Sequence, residues 1–318
     1  MGERLTYAIG LTTRFRGITE RQGMLWRGDA GWAEWSPFLD YAGAELVPWL
    51  RAADEAAERG WPDPVRTEIP VNATVPALGP EQAYALVAAS GCQTAKVKVA
   101  EPGQTLADDL ARVEAVRDAL GPSGAVRVDA NGGWDLDQAL TAIGELARFD
   151  LEYVEQPCRR VEELADLRRR LLHRAAVPIA ADESIRRVAD PYRVRELDAA
   201  DVVVLKVQPL GGVRACLRIA AEIGLPVVVS SALETSVGLA AGLALAAALP
   251  ELPYACGLNT GPLLAADVVT DPFRAVDGVI TVRPVVPDPV LLARASTAPD
   301  VAAAWDERLA TTRAGVTR

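Results

Sequence analysis

The sequence predicts an α/β fold: a modified TIM-type (β/α) barrel carrying an α+β capping domain at its N-terminus. Three observations point there. From about residue 67, short β-branched runs alternate with segments whose apolar residues recur every three or four positions, the pattern of a parallel sheet covered by helices. Eight such runs fall within roughly 190 residues, which suits a closed barrel better than an open sheet, and no G-x-G-x-x-G follows the first of them. The stretches before about residue 67 and after about residue 262 lack this rhythm.

Taken in order, residues 1–66 form the capping domain. RLTYAIGLTTRF and QGMLWRGDAGWAEWSPF read as strands, GAELVPWLRAADEAAERG reads as a helix, and Trp26, Trp32 and Trp35 are expected in the cap core. The barrel occupies 67–262. Its strands are TEIPVNATV (67–75), TAKVKV (94–99), AVRVDAN (125–131), EYVEQP (152–157), VPIAADES (177–184), DVVVLKV (201–207), PVVVSSA (226–232) and YACGL (254–258). TLADDLARVEAVRDALG (105–121), DLDQALTAIGELARF (135–149) and VRACLRIAAEIG (213–224) are helices between them. VGLAAGLALAAALP (237–250) is too short to span a bilayer and reads as a buried helix. Residues 263–318 form a segment returning to the cap. Within it VDGVITVRPVV (276–286) is expected to be a strand pair and PDVAAAWDERLATT (299–312) a helix.

Composition narrows the function. A formal net charge of −10 argues against nucleic acid and membrane surfaces as partners, and leaves room for a small anionic substrate because local charge can oppose the total. Cys92, Cys158, Cys216 and Cys256 are widely spaced without a C-x-x-C pair, so reduced, buried thiols are expected. MGERLTYAIGLTTRF has no apolar signal core, and a cytoplasmic location is expected. The oligomeric state is not set by the sequence.

Only three of the 33 basic residues are lysines: Lys96, Lys98 and Lys206. Lys96 and Lys98 share one face of a strand that has no solvated face in a barrel, and a buried lysine must be paired or perform chemistry. Asp129, Glu155 and Asp182 close the third, fourth and fifth strands, one βα unit apart, and so converge on the C-terminal mouth where such barrels carry out chemistry. Oxygen donors on rigid strands suit a hard dication, Mg²⁺ first and Mn²⁺ second. Lys206 ends the sixth strand, across the mouth from the second-strand pair. Arginine stays protonated, whereas lysine can be tuned to accept a proton, and Lys96 is expected to take part in catalysis by depressing the pKa of Lys98 through like-charge repulsion. A dication with lysine bases suits removal of a proton next to a carboxylate, the metal stabilising the enediolate. Arg127, two residues before Asp129 on the same face, is a candidate to steady the carboxylates or the substrate, with a structural ion pair as the alternative; further candidates for binding substrate are Ser230 and Ser231 at the end of strand seven, Asn259 after strand eight, and Arg14 and Arg16 at the entrance to a cap loop.

The motifs KVK, DAN, VEQP, ADES and LK stand in the order seen in the muconate-lactonizing subgroup of the enolase superfamily, and the resemblance covers nearly the whole chain. It implies that Asp129, Glu155 and Asp182 are metal ligands, that Lys98 is the second lysine of the K-x-K pair begun by Lys96, and that Lys206 is the sixth-strand lysine. The mandelate-racemase subgroup would need a histidine late in the barrel. The single histidine, His173, lies before strand five and is expected to be structural or exposed. FRGITERQGMLWRG (15–28), SSALETSVGLAAGLALA (230–246) and GLNTGPLLAADV (257–268) resemble the actinobacterial o-succinylbenzoate synthases. That resemblance implies syn dehydration of 2-succinyl-6-hydroxy-2,4-cyclohexadiene-1-carboxylate to 2-succinylbenzoate, a step in menaquinone biosynthesis. Lys98 would remove the proton and return it to the departing hydroxyl, while a charged Lys206 stabilises the enediolate. N-succinylamino acid racemisation, muconate cycloisomerisation and dipeptide epimerisation share the motifs, although the epimerases carry Asp-x-Asp where this chain reads GLNTG. A non-catalytic anion-binding barrel using QPLGGV (208–213) is the reading from another class.

Overall fold

The computed structural model describes residues 4–15, 17–172, 174–186 and 190–316, so the expectations for Arg16 and His173 fall outside the described residues. Strands β1 (Arg4–Phe15), β2 (Ile18–Arg27) and β3 (Trp32–Trp35) form an antiparallel sheet in that order, and α1 (Leu46–Glu58) packs against it. Tyr7, Ile9, Met24, Trp26, Trp35, Trp49 and Leu50 fill the space between, with Trp32 partly buried at the edge, as expected for the cap tryptophans.

The barrel follows: β4 (Glu68–Pro70), β5 (Ala73–Val75), α2 (Pro80–Ser90), β6 (Thr94–Lys98), α3 (Leu106–Leu120), β7 (Ala125–Asp129), α4 (Leu136–Leu146), β8 (Leu151–Glu155), α5 (Val161–Leu171), β9 (Ile179–Ala181), α6 (Asp190–Glu196), β10 (Val202–Leu205), α7 (Val213–Ile223), β11 (Val227–Val229) and α8 (Ser236–Ala248). Thr105 and Asp135 start α3 and α4 with capping boxes, each side chain accepting from the backbone three residues on. Strands β5 to β11 pair in sequence order, and the observed pairings run parallel. The eighth run closes the ring. Gly257 N donates to Val229 O (2.8 Å) on one side and Cys256 N to Pro70 O (2.7 Å) on the other. A 3₁₀ turn at Gly261–Leu263, not a helix, comes next. The stretch 237–250 is the expected buried helix, α8 being apolar on every side, and all four cysteines are free and buried.

Two expectations are corrected. Residues 67–75 are two strands, not one: β4 pairs antiparallel with β12 (Val279–Thr281), whereas β5 joins the parallel sheet. At the break the backbone changes partners: Val71 N donates to Gly278 O beside β12 (2.8 Å), and Asn72 N donates to Cys256 O in the barrel (3.0 Å). Residues 276–286 contribute only β12, which pairs with β4 and not with the cap. Asp277 and Gly278, both at positive φ, make a tight turn bounded by reciprocal Val276–Val279 bonds, and Pro284 and Pro287 stop any longer strand. The return to the cap is made instead by α9 (Pro289–Ala295) and α10 (Pro299–Val316). Ser296 bridges to Tyr7, Trp305 packs edge-on against Trp35 at 5.5 Å, and Arg308 donates to Phe38 O and Tyr41 O (2.7 and 2.8 Å).

Alternation along the strands sorts the barrel. Val97, Val126, Val128, Val154, Ile179 and Val203 belong to the large core shared with the helices, while Tyr153, Ala180, Val202, Val204 and Val228 form a separate inner cluster. Parallel register places Lys98 beside Asp129 and Asp129 beside Glu155 in one layer, with Lys96, Arg127 and Tyr153 in the layer below.

Cap and barrel meet through buried polar groups. Gln208 accepts from Ser36 N (3.1 Å) and donates to Ser36 Oγ (3.1 Å) and Glu234 Oε1 (3.4 Å), and Glu234 Oε2 accepts from Ala232 N (2.7 Å). Burial and the nearby Glu34, opposed by Arg21, push the Glu234 carboxyl up to about 7. The folded chain therefore keeps this proton to a higher pH than the unfolded chain, which loses it near 4.5. Stability should fall by ~3 kcal/mol as pH rises from 4.5 to about 7, with no further loss from this group above that. Glu234→Gln should flatten this dependence when urea unfolding is compared across the same pH window.

Candidate active site

Each charged group at the barrel mouth is delivered by a strand end. Lys96 and Lys98 come from β6, Asp129 closes β7, Glu155 closes β8, Asp182 follows β9 and Lys206 follows β10. Lys96 Nζ lies 2.7 Å from Glu155 Oε1 and 3.3 Å from Asp129 Oδ2. Lys98 Nζ lies 2.6 Å from Asp129 Oδ2 and 2.5 Å from Asn131 Oδ1. Lys206 Nζ contacts both oxygens of Asp182, Oδ1 at 2.6 Å. The expected convergence is present: both sides of the mouth carry an amine, and the carboxylates lie between.

The electrostatics follow from burial and pairing. Burial opposes the charge on Lys96, but Glu155 and Asp129 outweigh it and hold its pKa well above the ordinary value. For Lys206 burial prevails over Asp182, and Arg186 adds to it, so its pKa is lowered. Burial favours the neutral form of every carboxyl here. Lys98 and Lys96 nevertheless pull Asp129 far below the usual range, and Lys206 and Arg186 pull Asp182 down to about 2. Glu155 behaves differently: burial and the charge of Asp129 push it up to about 7 despite Lys96.

Neighbouring backbone and side chains fix these positions. Gln156, at φ +40°, accepts from Asp182 N and Ser184 N (3.0 Å each) and so ties the end of β9 to β8. Asn131, at φ +47°, donates its backbone N–H to Asp129 Oδ1 (3.0 Å) while its side chain receives Lys98. Such left-handed conformations cost a non-glycine residue roughly 1–2 kcal/mol, offset here by the bonds they allow. Arg112 on α3 donates to Lys98 O (2.8 Å) and Leu78 O (2.6 Å), anchoring the end of β6.

Lys96, Lys98, Asp129, Asn131, Asp182 and Lys206 line a cavity of about 990 Å³ between cap and barrel, with Glu155 buried behind them. Among the described residues its walls carry six cationic side chains (Arg14, Lys96, Lys98, Arg159, Arg186 and Lys206) against four carboxylates, Glu101, Asp129, Asp182 and Glu183. The locality thus opposes the net charge of the chain. Phe15 of the cap sits 5.3 Å from Lys98 Nζ by its ring centroid.

Residues 6–57 match the family profile described as Enolase N-terminal domain-like, and residues 80–288 match the one described as Enolase C-terminal domain-like. An o-succinylbenzoate synthase from Thermobifida fusca is 66% identical over 97% of this chain and 95% of that protein. The chain belongs to the o-succinylbenzoate synthase family. A synthase from Mycolicibacterium smegmatis is 54% identical over 95% of this chain and 92% of that protein. Among solved structures, the muconate lactonizing enzyme of Pseudomonas putida superposes with a TM-score of 0.76 at 20% identity, covering 93% of this chain and 98% of that one. The L-Ala-D/L-Glu epimerase of Bacillus subtilis gives 0.72 at 24%, covering 90% and 96%. Both share the synthase fold, and the sequence-based expectation of an enolase-superfamily barrel with an N-terminal cap holds.

Against the synthase cavity, the predicted substrate-binding residues divide. Ser230 and Ser231 line it, and Ser231 Oγ lies 2.7 Å from Thr260 Oγ1. Arg14 also lines it, while Arg16 is outside the described residues. Arg127 does not reach it. Fully buried in the layer below the carboxylates, it pairs with Glu152 (2.5 Å), donates to Ala255 O (2.7 Å) and lies over the Tyr153 ring at 4.7 Å. Asn259 is turned away, its Oδ1 accepting from Ala275 N (3.3 Å), and the next residue, Thr260, takes the place at the wall. Sequence reasoning missed Thr260, Gln156, Asn131, Arg186 and Arg112. Gln156 and Asn131 had a signal, standing inside the VEQP and DAN motifs. Because Arg127 braces the barrel interior, Arg127→Ala should cost roughly 3 kcal/mol or more in denaturant unfolding. The KM of the remaining folded enzyme should stay at the wild-type value.

Proposed function

We propose that the chain catalyses the synthase reaction of its family, the syn dehydration of 2-succinyl-6-hydroxy-2,4-cyclohexadiene-1-carboxylate to 2-succinylbenzoate, and that Lys98 is the base. The observation that carries this reading is the pair of amines, Lys98 and Lys206, held on opposite sides of one cavity, each against its own carboxylate.

Lys98 Nζ takes the proton from the carbon next to the substrate carboxylate. The same ammonium then gives that proton to the hydroxyl as the C–O bond breaks, and water leaves from the face at which the proton was taken. Lys206, ion-paired through Asp182, presents positive charge from the other face as negative charge grows on the carboxylate. Lys96 stays charged between Glu155 and Asp129 and keeps the acidic cluster from repelling itself apart.

The donor set fits a hard dication. Glu155 Oε2 is buried and has no hydrogen-bond partner, and the three side chains offer only oxygen. As placed here the carboxylates are closed by ammoniums, and among the described residues no three Asp, Glu, His or Cys side chains stand grouped to share an ion. Asp129, Glu155 and Asp182 would hold Mg²⁺, with Mn²⁺ as a substitute. When bound, the metal supplies the charge that makes a proton beside a carboxylate removable. On this reading the chain acts on a small anionic substrate in the cytoplasm, within menaquinone biosynthesis.

The opposed amines also support a second reading, racemisation of N-succinylamino acids with one lysine serving each face. Purified protein should be assayed with Mg²⁺ for loss of cyclohexadiene absorbance, with N-succinylamino acids in parallel. Lys98→Ala and Lys206→Ala should each lower kcat by roughly 10²–10⁴-fold without loss of the folded state by circular dichroism. Chelation should abolish turnover and Mg²⁺ should restore it. Turnover retained by Lys98→Ala would remove the base assignment.

A further inference from the structure

One wall of the cavity is the segment Ser230–Leu233, between β11 and α8. It is held in an unusual conformation. Leu233 sits at φ +62°, a left-handed position that a side-chain-bearing residue keeps only when its surroundings over-determine it. The restraints on it come from the cap. Arg21 of β2, itself buried, donates from Nε to Leu233 O (2.9 Å) and also bonds Ser36 O, with its guanidinium stacked 4.3 Å from the Phe38 ring centroid. Within the loop, Leu233 N donates to Ser231 Oγ (2.9 Å).

The next turn of chain is held by a cap carboxylate. Glu34 of β3 is buried and accepts five hydrogen bonds. Oε1 takes the hydroxyls of Tyr7 and Ser36 (2.7 Å each), both from the cap. Oε2 takes the Thr235 hydroxyl (2.5 Å), Thr235 N (3.2 Å) and Gly238 N (3.0 Å), all at the start of α8, where exposed backbone N–H groups favour an anion. The fit leaves no slack: a Cβ at Gly238 would lie 2.9 Å from Glu34 Cδ and 2.6 Å from Glu234 Cβ. Neither Glu34 nor Arg21 lines the cavity.

We propose that Glu34 and Arg21 are positioning residues, through which the cap sheet fixes the strand-seven wall in its substrate-binding shape without touching substrate. The cap is then part of the barrel's binding geometry as well as its cover. The inference rests on the reading of this cavity as the active site, but its structural half can be measured with no substrate present.

Two variants test it. Glu34→Gln keeps the shape but removes the anion at the start of α8, and it sets an amide NH2 against the Tyr7 and Ser36 hydroxyls that now donate to Oε1, so at least one of these buried bonds is lost or weakened. Arg21→Lys keeps the charge but loses the fork that reaches Leu233 O. In each, amide exchange over residues 231–238 should accelerate about five- to tenfold relative to wild type, the scale of one lost buried hydrogen bond. KM should rise by about the same factor with kcat within about twofold, since the wall binds and the lysines react. A variant that lowers Tm while leaving both KM and exchange at wild-type values would overturn the proposal, making these groups structural only. Should Glu34→Gln fail to fold, Arg21→Lys decides by the same criteria. If wild type turns over none of the substrates tried, the exchange rates still support or overturn the positioning claim, while the functional reading fails separately.

Discussion

Six ionisable groups from five strand ends share the mouth of this barrel, and neutralising them is the constraint that the surrounding structure serves. A buried carboxylate or ammonium without a partner costs several kcal/mol, so each must meet its counterpart within hydrogen-bond range. That is why register matters here more than propensity. Moving β7 by one residue against β6 would carry Asp129 to the helix-facing side, leave Lys98 without a carboxylate and leave Lys96 with Glu155 alone. Arg112, Gln156 and Asn131 each brace the end of a strand rather than its middle, which is where small displacements would break a pair.

The balance is deliberately incomplete at Glu155. It meets one lysine, has one buried oxygen without a partner and keeps a raised pKa, whereas Asp129 and Asp182 are strongly held as anions. The cluster thus holds a local deficit of positive charge at the deepest of its acids. Arg186 sharpens the contrast on the other side, since it stabilises Asp182 while disfavouring a second cation on Lys206. Two lysines of identical chemistry, Lys96 and Lys206, are thereby given opposite tendencies by their neighbours alone.

Much of this was legible in the residues, because it follows from short-range rules. Lys96 and Lys98 two apart, and carboxylates spaced by one βα unit, fix a face and a layer once a closed barrel is granted. What was not legible depends on which way a side chain turns at the end of a strand. Arg127 shares the face of Asp129, as alternation requires, but lies one layer lower, where Tyr153 and Glu152 claim it. Asn259 and Thr260 are adjacent and polar, and only the path after Gly257 decides that Thr260 faces the cavity. The division of residues 67–75 depended on β12, a partner some 200 residues away that no local pattern announces.

The core of the N-terminal sheet has a temporal implication. Tyr7, Met24 and Trp35 share one apolar cluster with Trp305 and Leu309 of α10, and β1 is bridged at Ser296. On a ribosome the first strands would therefore wait, with part of that cluster open to solvent, until the last helix emerged. The strand–helix units in between have mostly neighbours that precede them and can assemble as they appear. The cap sheet is therefore completed only once α10 has been made, and part of its apolar surface stays open to misassociation until then.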